Sequence, residues 1–379
     1  MRLVADEGLW STGPAPAPVP LAAVVEVDGA VLSWTVDESP ERPPQITLTD
    51  PARADWLWRV VGEAGHRALA SATQGTPPGP SAEVEIASLE VLPGSVDQLR
   101  RLALGHWLRR FWPASVPDGI AGLDAAVLDA EIAVVTADAD DFFGDATLDS
   151  DIAALLAPHA DALRRHVAAG DPRIVELVRR CVDLVDDAGI EAPGWPAVAD
   201  ALDELGATPA GYPSGSRDDY ALAAGRGTRF EPATVIARGV TSMAWTAVPG
   251  AVFDAAEDTV EWIIAAEDGQ AVAAINTQTL GPGSPAGISV SLRCNTLRAD
   301  GVLDDDGRAS LALVGDHGGP VTPAQAWDAD WSATTVTVGV AVDEPAQVRD
   351  RIRRFVRQRL DRPRPDAFLA EILAAESDY

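Results

Sequence analysis

The hydrophobic pattern of this chain of 379 residues changes period twice, and this constrains the fold more than any other feature. Alternating apolar residues, typical of strands, occur before residue 94 and again after residue 228. Between these parts, apolar residues recur at helical spacing in segments bounded by Gly and Pro. We therefore expect an α+β fold in which sheet and helix occupy different parts of the chain.

The two changes of period divide the chain into four segments. Residues 1–94 are predicted to form a small α/β unit, a sheet with a packed helix, in which an Asp-Gly pair joins two strands of a hairpin. Residues 95–206 are predicted to be α-helical, and 207–228, rich in Gly and Pro, a linker. Residues 229–379 are predicted to form an antiparallel β-sandwich-like domain that ends in two helices.

Three local patterns give finer predictions. Asp50, which precedes a proline, is expected to cap the helix of the first segment, which should extend to about residue 72. Residues 84–92 alternate like a strand. Residues 152–169 are predicted to form one helix.

The sequence contains no lysine, so arginine carries all 29 formal positive charges against 58 Asp and Glu. This excludes the P-loop lysine, Schiff-base chemistry and the Ser-Lys nucleophile. GC-rich codon usage, adaptation to salt and avoidance of lysine-directed modification would each explain the absence, and the sequence leaves all three open.

The net charge of −29 opposes binding to nucleic acid or to an anionic membrane surface. The two cysteines, Cys181 and Cys294, are too few for a disulfide framework or a tetrahedral zinc site and are expected to be buried. The N-terminus lacks the pattern of an export signal, and no run of eighteen apolar residues occurs. We expect a cytoplasmic protein without cofactor, metal or membrane partner, for which self-association remains open.

Eight arginines lie between residues 349 and 364, in the predicted penultimate helix. Its apolar residues form one stripe, which leaves other faces to the arginines. Arg353, Arg354, Arg357 and Arg359 are predicted to bind a protein partner, because guanidinium groups bind carboxylates in pairs of hydrogen bonds. An ion-pair network within the chain is the alternative.

A second basic cluster contains His106, Trp107 and Arg109. An aromatic ring beside arginines can stack on a nucleotide and neutralise its phosphates, so these residues are a candidate ligand site. At helical spacing the tryptophan can equally belong to the core.

The remaining candidates for chemistry are histidines and aspartates. His317 follows a predicted strand in a Gly-rich segment and is a weak catalytic candidate, without a G-x-S-x-G motif to supply a serine. His159 and His166 are two helical turns apart, too far to chelate one ion unaided. The Asp-rich segments 138–145 and 300–306 do not match a calcium loop and are predicted to be solvated loops.

Two classes of function remain. The leading hypothesis is a non-enzymatic adaptor or accessory protein that engages a protein partner through its C-terminal β domain and the Arg-rich helix. The alternative is a lysine-independent hydrolase or modifying enzyme centred on His317, or a nucleotide-binding protein.

Overall fold

A computed structural model describes residues 2–6, 8–73, 83–86, 89–190, 192–207, 234–281 and 283–377. The fold is mixed α+β, as the sequence predicts: an N-terminal antiparallel sheet with a helix, a helical middle, and C-terminal antiparallel sheets followed by helices. Internal contacts group the chain into two compact units. The first comprises residues 1–110, 123–211 and 350–379, and the second comprises 111–122 and 212–349.

The first unit contains a six-stranded antiparallel sheet of order β3-β4-β5-β2-β1-β6. Its strands are β1 Arg2–Asp6, β2 Leu9–Thr12, β3 Ala22–Val27, β4 Ala30–Thr35, β5 Gln45–Leu48 and β6 Glu83–Glu85. The predicted hairpin is confirmed: Val27 pairs with Ala30, and Gly29 takes the positive φ of 74° that the turn requires. Of the strand predicted over 84–92, Val84 and Glu85 pair with β1, and the other described residues of that range, 86 and 89–92, belong to no strand.

Seven helices of the described chain follow or interrupt this sheet. They are α1 Leu57–Thr73, α2 Asp97–Phe111, α3 Ala125–Asp138, α4 Asp145–Leu156, α5 Ala160–Ala169, α6 Pro172–Asp187 and α7 Trp195–Ala207. The cap predicted at Asp50 is wrong: its side chain accepts the Ala52 N–H within a turn, and α1 begins later. The single helix predicted over 152–169 is divided by a short 3-10 turn that contains Pro158, because proline cannot continue the helical hydrogen bonds.

Helix α3 is the central helix of the first unit. Ten of its fourteen residues are buried, and they lie all around the helix. Helices α4, α5, α6 and a C-terminal helix, α10 Leu369–Ser377, contact it. A helix surrounded in this way is apolar on every side, so its charged residues need partners inside the unit.

The second unit contains two antiparallel sheets, β11-β10-β13 and β12-β9-β8-β7. The strands are β7 Val235–Thr241, β8 Val260–Glu267, β9 Gln270–Thr277, β10 Ser289–Cys294, β11 Leu297–Val302, β12 Arg308–Ala312 and β13 Thr335–Val338, with a short helix α8 Pro323–Trp327. Ile264 and Ile275 of one sheet and Leu292 of the other belong to one hydrophobic core. The sandwich-like expectation agrees with this shared core.

The units differ in their bounds from the four sequence segments. The predicted N-terminal segment and the predicted helical segment, except residues 111–122, belong to the first unit, which also includes the chain from residue 350 onwards. Helix α9 Ala346–Asp361 and α10 are the two predicted C-terminal helices. The linker predicted over 207–228 lies outside the described residues after Ala207.

Gly105 of α2 is a sensitive packing position in the first unit. A Cβ atom there would lie 2.8 Å from both the Ile132 side chain and the Phe368 ring, which are fully buried. We expect Gly105→Val to lower the free energy of unfolding by about 2 kcal/mol through overpacking, measured by urea denaturation. Gln98→Val, at an exposed position of the same helix, is the control, and equal losses for the two variants would contradict the packing argument.

Candidate functional site

Most arginines of helix α9 form ion pairs with acidic residues of this chain. In the second unit, Arg349 donates from Nε and Nη2 to the two carboxylate oxygens of Glu257 at 2.9 Å each, and from Nη1 to the Glu344 carbonyl at 2.9 Å. In the first unit, Arg351 donates to both oxygens of Asp37 at 2.5 and 2.8 Å. The alternative of an internal network therefore holds for these arginines.

Two of the four predicted partner-binding arginines are buried. Arg353 is 4% exposed and donates to Asp350 at 3.2 Å. Arg359 is 1% exposed and donates to Glu371 at 2.5 and 2.7 Å and to Asp366 at 3.2 Å. Burial alone would lower the pKa of Arg359, but Glu371 and Asp366 raise it on balance. Arg353 and Arg359 are thus parts of the interior and not of a surface.

Arg354 and Arg357 are exposed on α9. Exposed arginines can form paired hydrogen bonds with the carboxylates of another protein. The predicted partner-binding role remains a prediction for these two residues.

The residues of the second predicted cluster do not form one site: Trp107 lies in the core, and Arg109 forms an ion pair. Trp107 is 2% exposed, donates from its indole to the Pro20 carbonyl at 2.6 Å, and packs edge-on against Phe355. Its ring is therefore not available for stacking on a nucleotide. Burial, followed by the charge of Arg109, lowers the pKa of the neighbouring His106, which favours the neutral imidazole at neutral pH.

Arg109 instead belongs to a cluster around the buried carboxylate of Asp129, which sequence reasoning missed. Arg109 Nε lies 2.9 Å from Asp129 Oδ1 and 3.2 Å from Oδ2, and His159 Nε2 lies 2.9 Å from Oδ2. Asp129 is 3% exposed within α3. The available signal was a pair of acidic residues, Asp129 and Glu131, in the middle of a helical segment that is otherwise apolar from Ala125 to Val135, where a charge requires a partner.

Glu131, two residues further along α3, forms the second missed cluster. Arg101 donates to Oε1 at 2.5 Å, and the Leu369 N–H, at the start of α10, donates to Oε2 at 2.5 Å. Burial raises the pKa of Glu131, with a further increase from nearby Glu371 that Arg101 and the Leu369 N–H oppose. These contacts join α2, α3 and α10 by charge-assisted hydrogen bonds.

His166 forms an ion pair at the N-terminus of α3. Its Nε2 lies 2.7 Å from Asp124 Oδ2, while Asp124 Oδ1 accepts the N–H groups of Ala126 and Val127 at 3.0 Å each. The hydrogen bond with Asp124 raises the pKa of His166 against the effect of burial. Burial raises the pKa of Asp124, but the bonds from His166 and from the backbone outweigh it and lower that pKa.

His317 is exposed in the turn 315–318, which is closed by the Gly318 N–H to Gly315 carbonyl bond of 2.9 Å. Its side chain forms no hydrogen bond or ion pair with the described residues. The convergence with an aspartate that catalysis would require is therefore not found there.

The remaining acids and thiols have structural contacts. Asp138 pairs with Arg180, and Asp304 Oδ1 accepts two backbone N–H groups of its own turn. Burial raises the pKa of Cys181 to about 12, which makes it a poor nucleophile, and Cys294 is also buried. Within the described ranges, no group of three His, Cys, Asp or Glu could hold a metal ion.

The second unit contains a cleft of about 480 Å³ between the edges of its two sheets. β7 and β13, the terminal strands of their sheets, both line it. Its charged lining residues are Glu257, Asp258, Asp343, Glu344 and Arg349. Val240, Val340 and Val342 add exposed apolar surface, and Val240 and Val340 are 56% and 60% exposed.

Comparison with protein-family models, with curated proteins and with solved structures finds no significant match. Among the helices of the described residues, none has the length and apolarity that crossing a membrane requires.

The Arg359 and Glu371 pair gives a prediction about stability. Arg359→Met leaves Glu371 buried without its main counter-charge, so we expect the free energy of unfolding to fall by about 3–5 kcal/mol. The double variant Arg359→Met, Glu371→Leu should lose less than Arg359→Met alone, because no buried charge remains. Urea denaturation measures both. Arg354→Gln, at an exposed position, should change stability by less than about 0.5 kcal/mol, and an equally small loss at Arg359 would refute the structural role.

The His166 and Asp124 pair gives a prediction about pH. Because the folded pKa of His166 is raised, its contribution is complete below about pH 6.5 and is lost as the pH rises through the folded value. Because the folded pKa of Asp124 is lowered, its contribution is present above about pH 3.9 and lost below it. The free energy of unfolding should therefore be higher for wild type than for His166→Leu, with the largest difference, less than about 1 kcal/mol, near pH 5–6. Thermal unfolding at pH 5.5 and pH 8.5 checks this, and a difference that grows with pH would be the wrong sign.

Proposed function

We propose that this protein is a non-enzymatic adaptor or accessory subunit that binds a protein partner through its C-terminal β sheets and the exposed arginines of α9. The cleft bordered by β7 and β13 is the observation that carries the proposal. An edge strand presents backbone N–H and C=O groups that can pair with another chain.

Exposed valines beside these edges support the same function. Val240, Val340 and Val342 line the cleft while 44% or more of each remains exposed. Apolar surface that is grouped around a cleft, and not scattered, is typical of an interaction site. Burial under a partner would remove it from water, which is favourable by about 25 cal/mol per Å² of apolar area.

Arg354 and Arg357 form the second part of the proposal. They are the exposed members of the predicted four, while Arg353 and Arg359 are buried in the first unit. Arginine is enriched among the residues that dominate binding energy at interfaces. The alternative enzyme centred on His317 has no supporting contact among the described residues.

Gentle purification of tagged protein from its own host, followed by native mass spectrometry, tests the proposal. We expect a partner at fixed stoichiometry. The double variant Val240→Asp, Val340→Asp should reduce the recovered partner by about tenfold or more, because it places charge in the apolar part of the interface. Arg354→Glu with Arg357→Glu should also reduce recovery.

Matched controls separate binding from folding. Val302→Asp changes a valine that is 57% exposed in the same unit but does not line the cleft. Arg164→Glu with Arg165→Glu makes the same charge change as the α9 pair at exposed positions of α5. A protein recovered alone, or a partner whose recovery falls equally in the variants and the controls, would refute the proposal.

A further inference from the structure

We infer that the cleft between β7 and β13 binds an extended, basic segment of a partner protein, in which cationic and apolar side chains alternate. This inference rests on the proposed adaptor function and specifies the chemistry of the partner. It is carried by the strand edges, the charge balance of the lining, and the position of the exposed valines.

The strand edges favour an extended occupant. β7 pairs with β8, and β13 pairs with β10, each on one side only within the described chain. The cleft-lining parts of these strands are 240–241 and 336–338. A strand placed beside either edge would continue an antiparallel sheet, and its main-chain hydrogen bonds would supply affinity without depending on sequence.

The charge balance selects a cationic occupant. Four carboxylates line the cleft against one guanidinium. Arg349 is held by Glu257, and Glu344, whose side chain is 2% exposed, accepts the N–H groups of Trp245 and Thr246 at 3.0 and 2.9 Å. Asp258 and Asp343 are exposed, and neither has a cationic partner in the described parts of the chain. An incoming Arg or Lys would pair with them, whereas an acidic segment would be repelled.

The exposed valines of the cleft favour an occupant in which cationic and apolar side chains alternate. Successive side chains of a strand point to opposite faces, so a bound strand presents every second residue to one side. The exposed Val240 and Val340 offer apolar contacts, and Asp258 and Asp343 offer charged contacts, within the same cleft. A segment with period-two alternation satisfies both kinds of contact.

Direct binding of synthetic peptides to the full chain tests the inference. The probe is a fluorescent heptapeptide that alternates Val and Arg. Its matched peptides replace Arg by Glu, or carry N-methyl groups that remove backbone donors. Fluorescence anisotropy should show saturable binding of the Arg peptide that weakens with salt. The Glu peptide and the N-methylated Arg peptide should each bind about tenfold more weakly.

Protein variants locate the site. Asp258→Asn with Asp343→Asn should weaken binding of the Arg peptide by about fivefold, the loss expected for two exposed charge pairs. Asp268→Asn with Asp316→Asn is the control. Asp268 shares the positive φ of Asp258, both control aspartates are exposed in the same unit, and neither lines the cleft. The control variant should bind like wild type.

The possible negative results distinguish between different errors in the inference. Equal binding of the Arg and Glu peptides, no binding, or equal losses in the two protein variants would overturn the inference. Competition by spermidine with no effect of N-methylation would also overturn it, in favour of a small cationic ligand. A dimer of this chain that Asp258→Asn with Asp343→Asn dissociates would name a second copy as the occupant instead. If the peptides fail while a partner is still lost from Val240→Asp, Val340→Asp, the adaptor function stands and only the basic chemistry is wrong.

Discussion

The first unit depends on two carboxylates of its central helix, one of them buried and the other half-buried. Asp129 and Glu131 of α3 would each destabilise the fold by several kcal/mol without partners. Arg109 and His159 contact the first carboxylate, and Arg101 and the Leu369 N–H at the start of α10 contact the second. Because the partners come from α2, from the 3-10 turn before α5 and from the start of α10, the carboxylates favour one arrangement of these elements around α3 over others of equal apolar burial.

The absence of lysine is compatible with this interior because arginine has a planar fork of five donors. A single guanidinium group, that of Arg359, contacts Glu371 through Nε and Nη2 and Asp366 through Nη1. Asp366 in turn accepts from Arg100 at 3.1 Å. Lysine has one compact ammonium group and could not reproduce these paired planar contacts. Helix α9 thus shows how arginines can occupy the buried face of a helix, as Arg353 and Arg359 do.

Periodicity predicted the elements well where side chains alone decide them, as in the β3-β4 hairpin, α3 and the order of sheet, helices and sheets. It failed where tertiary contacts decide. Of the strand predicted over 84–92, only Val84 and Glu85 belong to a strand among the described residues, where they pair with β1. The helix after Asp50 begins late because that aspartate closes a turn. The candidate site residues were also predicted poorly where tertiary contacts decide their exposure. Nothing in the spacing of α9 distinguishes the buried Arg359 from the exposed Arg357, since the difference depends on a glutamate twelve residues away.

The acidic cleft also bears on self-pairing through the open edges of β7 and β13. Many proteins protect edge strands with charged side chains, most often lysine, which this chain lacks. Asp258 and Asp343 can take that role beside β7 and β13, because a second copy carrying a net charge of −29 meets like charge on approach. In the complex that we propose, the same two carboxylates attract a basic segment. One pair of charges therefore disfavours self-pairing and favours a partner of opposite sign, which is how an exposed edge can be kept for a specific interaction.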